Sequence, residues 1–191
     1  MAFNKAGSVE SNPFETAGAA TSIRYPSMKQ LGTGAVPKDV VYAQGTDDEQ
    51  IVKKCAGRLC IFQPVDLELN VPSRFKGVPP GPRLKVDVTV LDGEPIPAVL
   101  DKDGDETYVF PEPLVPGFVL SAMFIGQKLI VDQLRNKDGS MKTGMTLGRI
   151  VNLPPKSAGG NKAWAIGNYS DDDFKVASEW IKANPAPSPF A

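Results

Sequence analysis

The sequence predicts a mainly β domain with two helices. Three observations lead there. Apolar and polar residues alternate in several short segments, the period of a strand with one buried face. Glycine and proline, 18 of each in 191 residues, punctuate the chain between those segments. A helical pattern falls between the third and fourth extended segments, and another closes the chain. Five strands with a helix between the third and fourth is the element order of an OB-fold-like five-stranded barrel, the fold expected here. A β-sandwich is the other arrangement that these elements allow.

Residues 1–49 are rich in Ala, Gly, Ser and Thr and show no sustained apolar period. They are expected to form a flexible N-terminal arm, loose or laid on a neighbour. The barrel domain with its closing helix is assigned to 50–184, and 185–191 to a disordered tail. In "RLCIFQPVDLEL", Leu59, Ile61, Val65, Leu67 and Leu69 share one strand face, and Arg58, Cys60, Phe62, Asp66 and Glu68 share the other. "NVPSRFKGVPPGPR" follows as a long Pro/Gly loop. "LKVDVTVLDG" is the clearest strand, ended by the Asp92-Gly93 turn signal. "EPIPAVLDKDGDE" reads as an acidic connection and "TYVFPEPLV" as the third extended segment. In "PGFVLSAMFIGQKLIVDQLRN" the first half allows a strand. The second half, from about Gln127 to Arg135, lacks alternation and favours a helix.

"MTLGRIVNL" and "AWAIGNY" are two further strands around the loop "PPKSAGGNK", with Gly148 marking a bulge or tight bend. The last helix is well signalled. Ser170 is a good N-cap, Asp173 completes a capping box, and Asp171 to Asp173 suit the positive end of the helix dipole. Phe174, Ala177, Trp180 and Ile181 recur at helical spacing, and Asn184-Pro185 ends the run.

Several chemistries are excluded or unsupported. The chain has no histidine, so no Ser-His-Asp or Cys-His nucleophile can be built. Its two cysteines, Cys55 and Cys60, form no disulfide framework and no zinc pair of the usual spacing. "GSMKTGMT" has the glycine spacing of a phosphate loop but Met145 where the lysine belongs. "DKDGDETYVFPE" imitates a calcium loop with Glu106 where glycine is required. No pair of carboxylates can be placed together for acid–base work. The expectation is no catalytic activity, no cofactor and no metal. No run of 18 apolar residues and no secretory leader are present, so a cytoplasmic protein is expected, with no membrane partner.

The net charge of −1 conceals a segregation. Residues 51–85 carry seven basic side chains against two acidic ones, and so do residues 128–162. Residues 86–127 carry eight acidic side chains and only Lys102. In an OB-fold the loops after the first and fourth strands flank one groove. Here both loops are basic, and each has an aromatic in or beside it. Cations along a groove with aromatic platforms suit single-stranded nucleic acid, because phosphates need neutralising and bases stack on rings. The candidate DNA-binding residues are therefore Arg58, Arg74, Lys76, Arg83, Lys85, Arg149, Lys156 and Lys162 for phosphates. Phe62, Phe75 and Trp164 are the candidates for bases. Aromatics among apolar neighbours are usually core residues, so both roles remain open for these three. Arg135 closes a helix and has a dipole-offsetting role available.

The segment "QLRN…MTLGRIVNLPPKSAGGNKAWAIGNYSDDDFKVASEW" resembles the C-terminal part of small proteins encoded by phages of actinobacteria. The matching features are Leu134-Arg135, Leu147-Gly148-Arg149, the loop from Lys156 to Lys162, Trp164, Asp171 to Asp173 and Trp180. "RLCIFQP…VDVTVLDG" is similar to the first half of the same group, so the resemblance spans about residues 50–182. The group looks like OB-fold single-stranded DNA-binding proteins. The resemblance thus implies sequence-tolerant binding of single-stranded DNA in phage DNA replication or recombination, in the host cytoplasm. It allows replication or recombination proteins and a homo-oligomer as partners. The chain departs from the group in its longer apolar middle, "LVPGFVLSAMFIGQ", and in lacking an acidic run before its final "SPFA". The competing expectation is a structural or interaction protein, a virion component or host-factor adaptor, that uses its N-terminal arm.

Overall fold

The computed structural model describes residues 25–33, 56–73, 77–101, 103–153 and 163–185. In chain order they form α1 (Met28–Leu31), β1 (Ala56–Val71), β2 (Gly81–Val90), β3 (Ile96–Leu100), β4 (Glu106–Leu114) and β5 (Val119–Ile125). Then come α2 (Lys128–Gln133), β6 (Thr146–Leu153), β7 (Ala163–Gly167) and α3 (Asp171–Ala183). The chain is mainly β. Five strands make one antiparallel sheet in the order β5-β2-β1-β6-β7, and β3 and β4 form a separate hairpin. Among the described residues no ladder joins β5 to β7, so the sheet is open rather than closed into a barrel.

The element list needs two corrections. The acidic connection contains a strand, β3. Its Ile96, Ala98 and Val99 are buried, while Pro97 lies outward on an edge strand, the position a sheet tolerates for proline. Prolines at 95 and 97 hid that alternation. The segment read as the third extended segment is β4, which among the described residues pairs only with β3. The next strand of the large sheet is β5, from the first half of the ambiguous apolar stretch, and α2 is the helix of its second half.

The inner face of the sheet carries Cys60, Phe62, Leu84, Val86, Val88, Leu120, Met123, Ile125, Ile150 and Ile166. It is covered by Ile96, Val99 and Phe110 of the hairpin, by Ile130, Val131 and Leu134 at α2, and by Met28 and Leu31 of α1. The expectation of a flexible arm is therefore corrected for residues 25–33. Ser27 and Gln30 form a capping box on α1. The Gln30 carboxamide also donates to the Ala98 carbonyl at 2.8 Å and accepts from the Leu100 amide at 3.0 Å, tying the segment to β3. Gly32 lies so close to the Trp164 ring that a Cβ there would collide with it.

The face assignment of β1 is also corrected. Leu59 and Ile61 are buried, but on the outer side of the sheet, beneath α3 with Leu91 and Ala177. The main core takes Cys60 and Phe62 instead. A bulge between Pro64 and Asp66 then changes the parity, so Leu67 opposite Leu84 packs on the core while Val65 and Leu69 are exposed. Alternation alone cannot register such a switch, because one inserted residue exchanges the two faces.

Candidate nucleic-acid interface

The outer face of the sheet is divided. One half, around Leu59, Ile61 and Thr89, is covered by α3. The other half is open and is built where β1, β2 and β5 run past the first basic loop. Glu68 stands opposite Arg83, Asp66 opposite Lys85, and Lys85 opposite Phe124. Phe124 is 45% exposed. The Arg83 guanidinium lies 4.0 Å from its ring centroid and the Lys85 ammonium 5.3 Å, a cation–π arrangement on a strand surface. Arg83 pairs with Glu68 at 2.6 Å, and Lys85 reaches Asp66 at 3.3 Å and Glu68 at 3.6 Å. All four charged side chains keep about a third or more of their surface in water. Beside them Ala122 adopts a left-handed backbone (φ 53°), and its amide donates to the Asp87 carboxylate at 2.7 Å. The resulting irregularity between Val86 and Val88 displaces β5 next to Phe124.

Of the eleven candidate residues, Arg83 and Lys85 lie together on this open face. Three others have different work. Phe62 is fully buried in the main core, so no base can stack on it. Arg149, 5% exposed, points into the layer between the sheet and α3. It donates to Asp173 Oδ1 at 2.6 Å, to Asp173 Oδ2 at 3.1 Å and to the Gly57 carbonyl at 3.1 Å, and it pairs with Asp92 at 2.8 Å. Arg58, 4% exposed, donates to the Asp92 carbonyl, and the Asp92 carboxylate accepts from the Leu59 amide at 2.7 Å. Arg58 and Arg149 are thus corrected from phosphate contacts to internal clamps. Arg149 meets the need of an inward-pointing cation for paired charge through its two aspartates, whereas Arg58 is held by the Asp92 carbonyl, with its Nε unbonded among the described residues.

Trp164 is half-buried and packs on the main core beside Gly32, joining β7 to the docked N-terminal segment. Arg74, Phe75, Lys76, Lys156 and Lys162 lie outside the described residues. Arg135 holds the turn after α2 through the Gly139 carbonyl at 2.8 Å.

The protonation states follow from these contacts. Burial alone would raise the Asp173 carboxyl, but the bonds from Arg149 and from the Ser170 amide outweigh it and hold it below the usual carboxylate range. Burial likewise opposes the charge on Arg149, and its two aspartates keep it charged. Burial pushes the Cys60 thiol well above its usual range, with Asp92 adding to the effect.

Sequence reasoning missed Phe124. It sits in "LSAMFIG", where a phenylalanine among apolar residues reads as core. The available signal was its parity, opposite to that of the buried Met123 and Ile125.

Compared with known proteins, the chain has no significant match to a family model, a curated protein or a solved structure. What it binds must then be read from its own geometry. Among the described residues, no helix is long and apolar enough to cross a membrane.

Proposed function

We propose that this protein binds single-stranded DNA without sequence preference, across the open face of β2 and β5. The observation that carries the reading is Phe124, half-exposed on a strand and flanked by Arg83 and Lys85. A ring held among cations offers a base a stacking surface beside charges for the adjoining phosphates. The strand order supports the same reading. With the β3–β4 hairpin set aside as an insertion, β5-β2-β1-β6-β7 with α2 between β5 and β6 corresponds to an OB-fold order left open at one seam. In that fold the second and third strands, here β2 and β5, form the oligonucleotide face.

The carboxylates on this face do not oppose the reading. Exposed ion pairs contribute only about 0–1 kcal/mol, so a phosphate can displace Glu68 or Asp66 at small cost. No catalytic step is part of the proposal. The reading in which an N-terminal arm engages a partner has residues 25–33 against it, because these are already docked on the chain's own core.

The test is the fluorescence anisotropy of a labelled oligo(dT) of about 30 nucleotides, titrated at two salt concentrations; release of counterions should give a steep slope. Phe124→Ala is expected to weaken binding about tenfold, the loss of one stacked base of roughly 1–3 kcal/mol. Arg83→Glu and Lys85→Glu are each expected to weaken it and to lower the salt slope by about one unit. Absence of binding at low salt would refute the proposal.

A further inference from the structure

The closing helix has a second apolar face that none of the described residues covers. Its buried side places Ala177, Val176 and Trp180 on the sheet. On the outside, Phe174 and Ile181 are 56% and 41% exposed. With Ser178 they follow the i, i+4, i+7 spacing of a continuous stripe. Tyr169, also exposed, lies with its ring 6.4 Å from that of Phe174 and nearly parallel, extending the stripe beyond the N-terminus of α3.

We propose that this face is an interface between two copies of the chain, with the two α3 helices packed antiparallel about a two-fold axis. The charges beside the stripe identify the occupant. Asp171 and Lys182 are both exposed; among the described residues Lys182 forms no salt bridge, and Asp171 acts on Lys175 one turn along only as a second charge, since Lys175 is bonded to Asp172. They are separated by about three full helical turns, so they share one flank of the stripe at its two ends. An axis passing between Ala177 and Ser178 sets Phe174 of each copy over Ile181 of the other. It also brings Asp171 of each copy to within about two residues' rise, ~3 Å along the axis, of Lys182 of the other. The acidic first turn of one helix thereby meets the basic last turn of its mate, twice. An unrelated partner would have no reason to find this self-complementary layout.

A stripe two turns long covers less than the roughly 800 Å² per partner of a standard stable interface, so the dimer forms reversibly.

Sedimentation velocity of the full chain, from about 1 to several hundred micromolar, tests this. The range spans reversible association weaker than the interfaces of standard size. The weight-average sedimentation coefficient is expected to rise from monomer towards dimer, and Phe174→Glu or Ile181→Glu to abolish the rise. Asp171→Lys and Lys182→Glu should each weaken association several-fold, and the two together should restore it. Circular dichroism checks that α3 persists in each variant. A chain monomeric throughout, or association unaffected by Phe174→Glu, would overturn the proposal. Failure of the paired charge exchange to restore association would overturn the antiparallel arrangement. None of these outcomes depends on whether the protein binds DNA.

Discussion

Replacing Asp173 should detach the closing helix more effectively than any other single change on its surface. Asp173 has two structural roles. As the third residue of α3 it accepts from the Ser170 amide at 3.0 Å, completing the capping box. Across the interface it accepts both guanidinium bonds of Arg149. Losing a capping interaction costs about 1 kcal/mol. Removing one partner of a buried pair costs about 3–5 kcal/mol, because the other charge is left uncompensated. Arg149 would still retain Asp92 and the Gly57 carbonyl, which places that part at the lower end. Asp173→Ala is therefore expected to lose about 3–4 kcal/mol, a large share of the roughly 5–15 kcal/mol that holds a domain folded. Asp173→Asn keeps the shape and one acceptor and should lose less. Urea unfolding measures both. A Trp164→Phe background leaves Trp180, which packs on the cluster beneath α3, as the fluorescent reporter of that interface. A loss below about 1 kcal/mol for Asp173→Ala would refute the reasoning, since it would mean that the pair and cap contribute no more than a surface contact.

The same carboxylate sets an acid dependence. Its folded pKa is depressed, so its stabilisation is present above the unfolded value of about 4 and is lost as pH falls through the lower folded value. Stability measured from pH 6 down to about 2 should fall less steeply in Asp173→Asn than in the unaltered chain; equal slopes would contradict the sign. Gly148→Ala should lose about 2–4 kcal/mol or fail to fold, because the new Cβ would meet Ile166 and, at 2.5 Å, the Gly167 carbonyl of the paired strand. A near-neutral result by thermal unfolding would show that β6 and β7 can separate at that point. Leu31→Ala should lose about 2–5 kcal/mol, whereas a flexible arm would lose nothing. In a Cys55→Ser chain, Cys60 should react with a thiol reagent no faster than the domain opens, since it is buried and its thiolate is disfavoured. Rapid labelling of the folded chain would rule this out.

Much of the fold was legible in the sequence where one signal had one meaning. Val86 and Val88 alternate without interruption, and β2 lies where they predict, with Gly93 at φ 99° in the turn after it. Ser170 and Asp173 cap α3 as their spacing requires. The candidate site was legible only in part. Charge counting found Arg83 and Lys85, but it could not distinguish them from Arg58 and Arg149, which carry the same charge in the same kind of apolar-flanked strand.

The sequence by itself determined most of the element types, though not β3 or α1, and the capped helix, the turn glycines and the segregation of charge, because each depends on residues within a few positions of one another. The tertiary structure alone decided which cations face water. Arg149 is an internal clamp because Asp92 and Asp173, distant in sequence, converge on it. Phe62 is core and Phe124 surface because α1, the hairpin and α2 cover the inner face of the sheet, while α3 covers only half of the outer one. Burial is a property of what lies opposite a residue, and in an antiparallel sheet with a bulged central strand that neighbour is set by register over long separations.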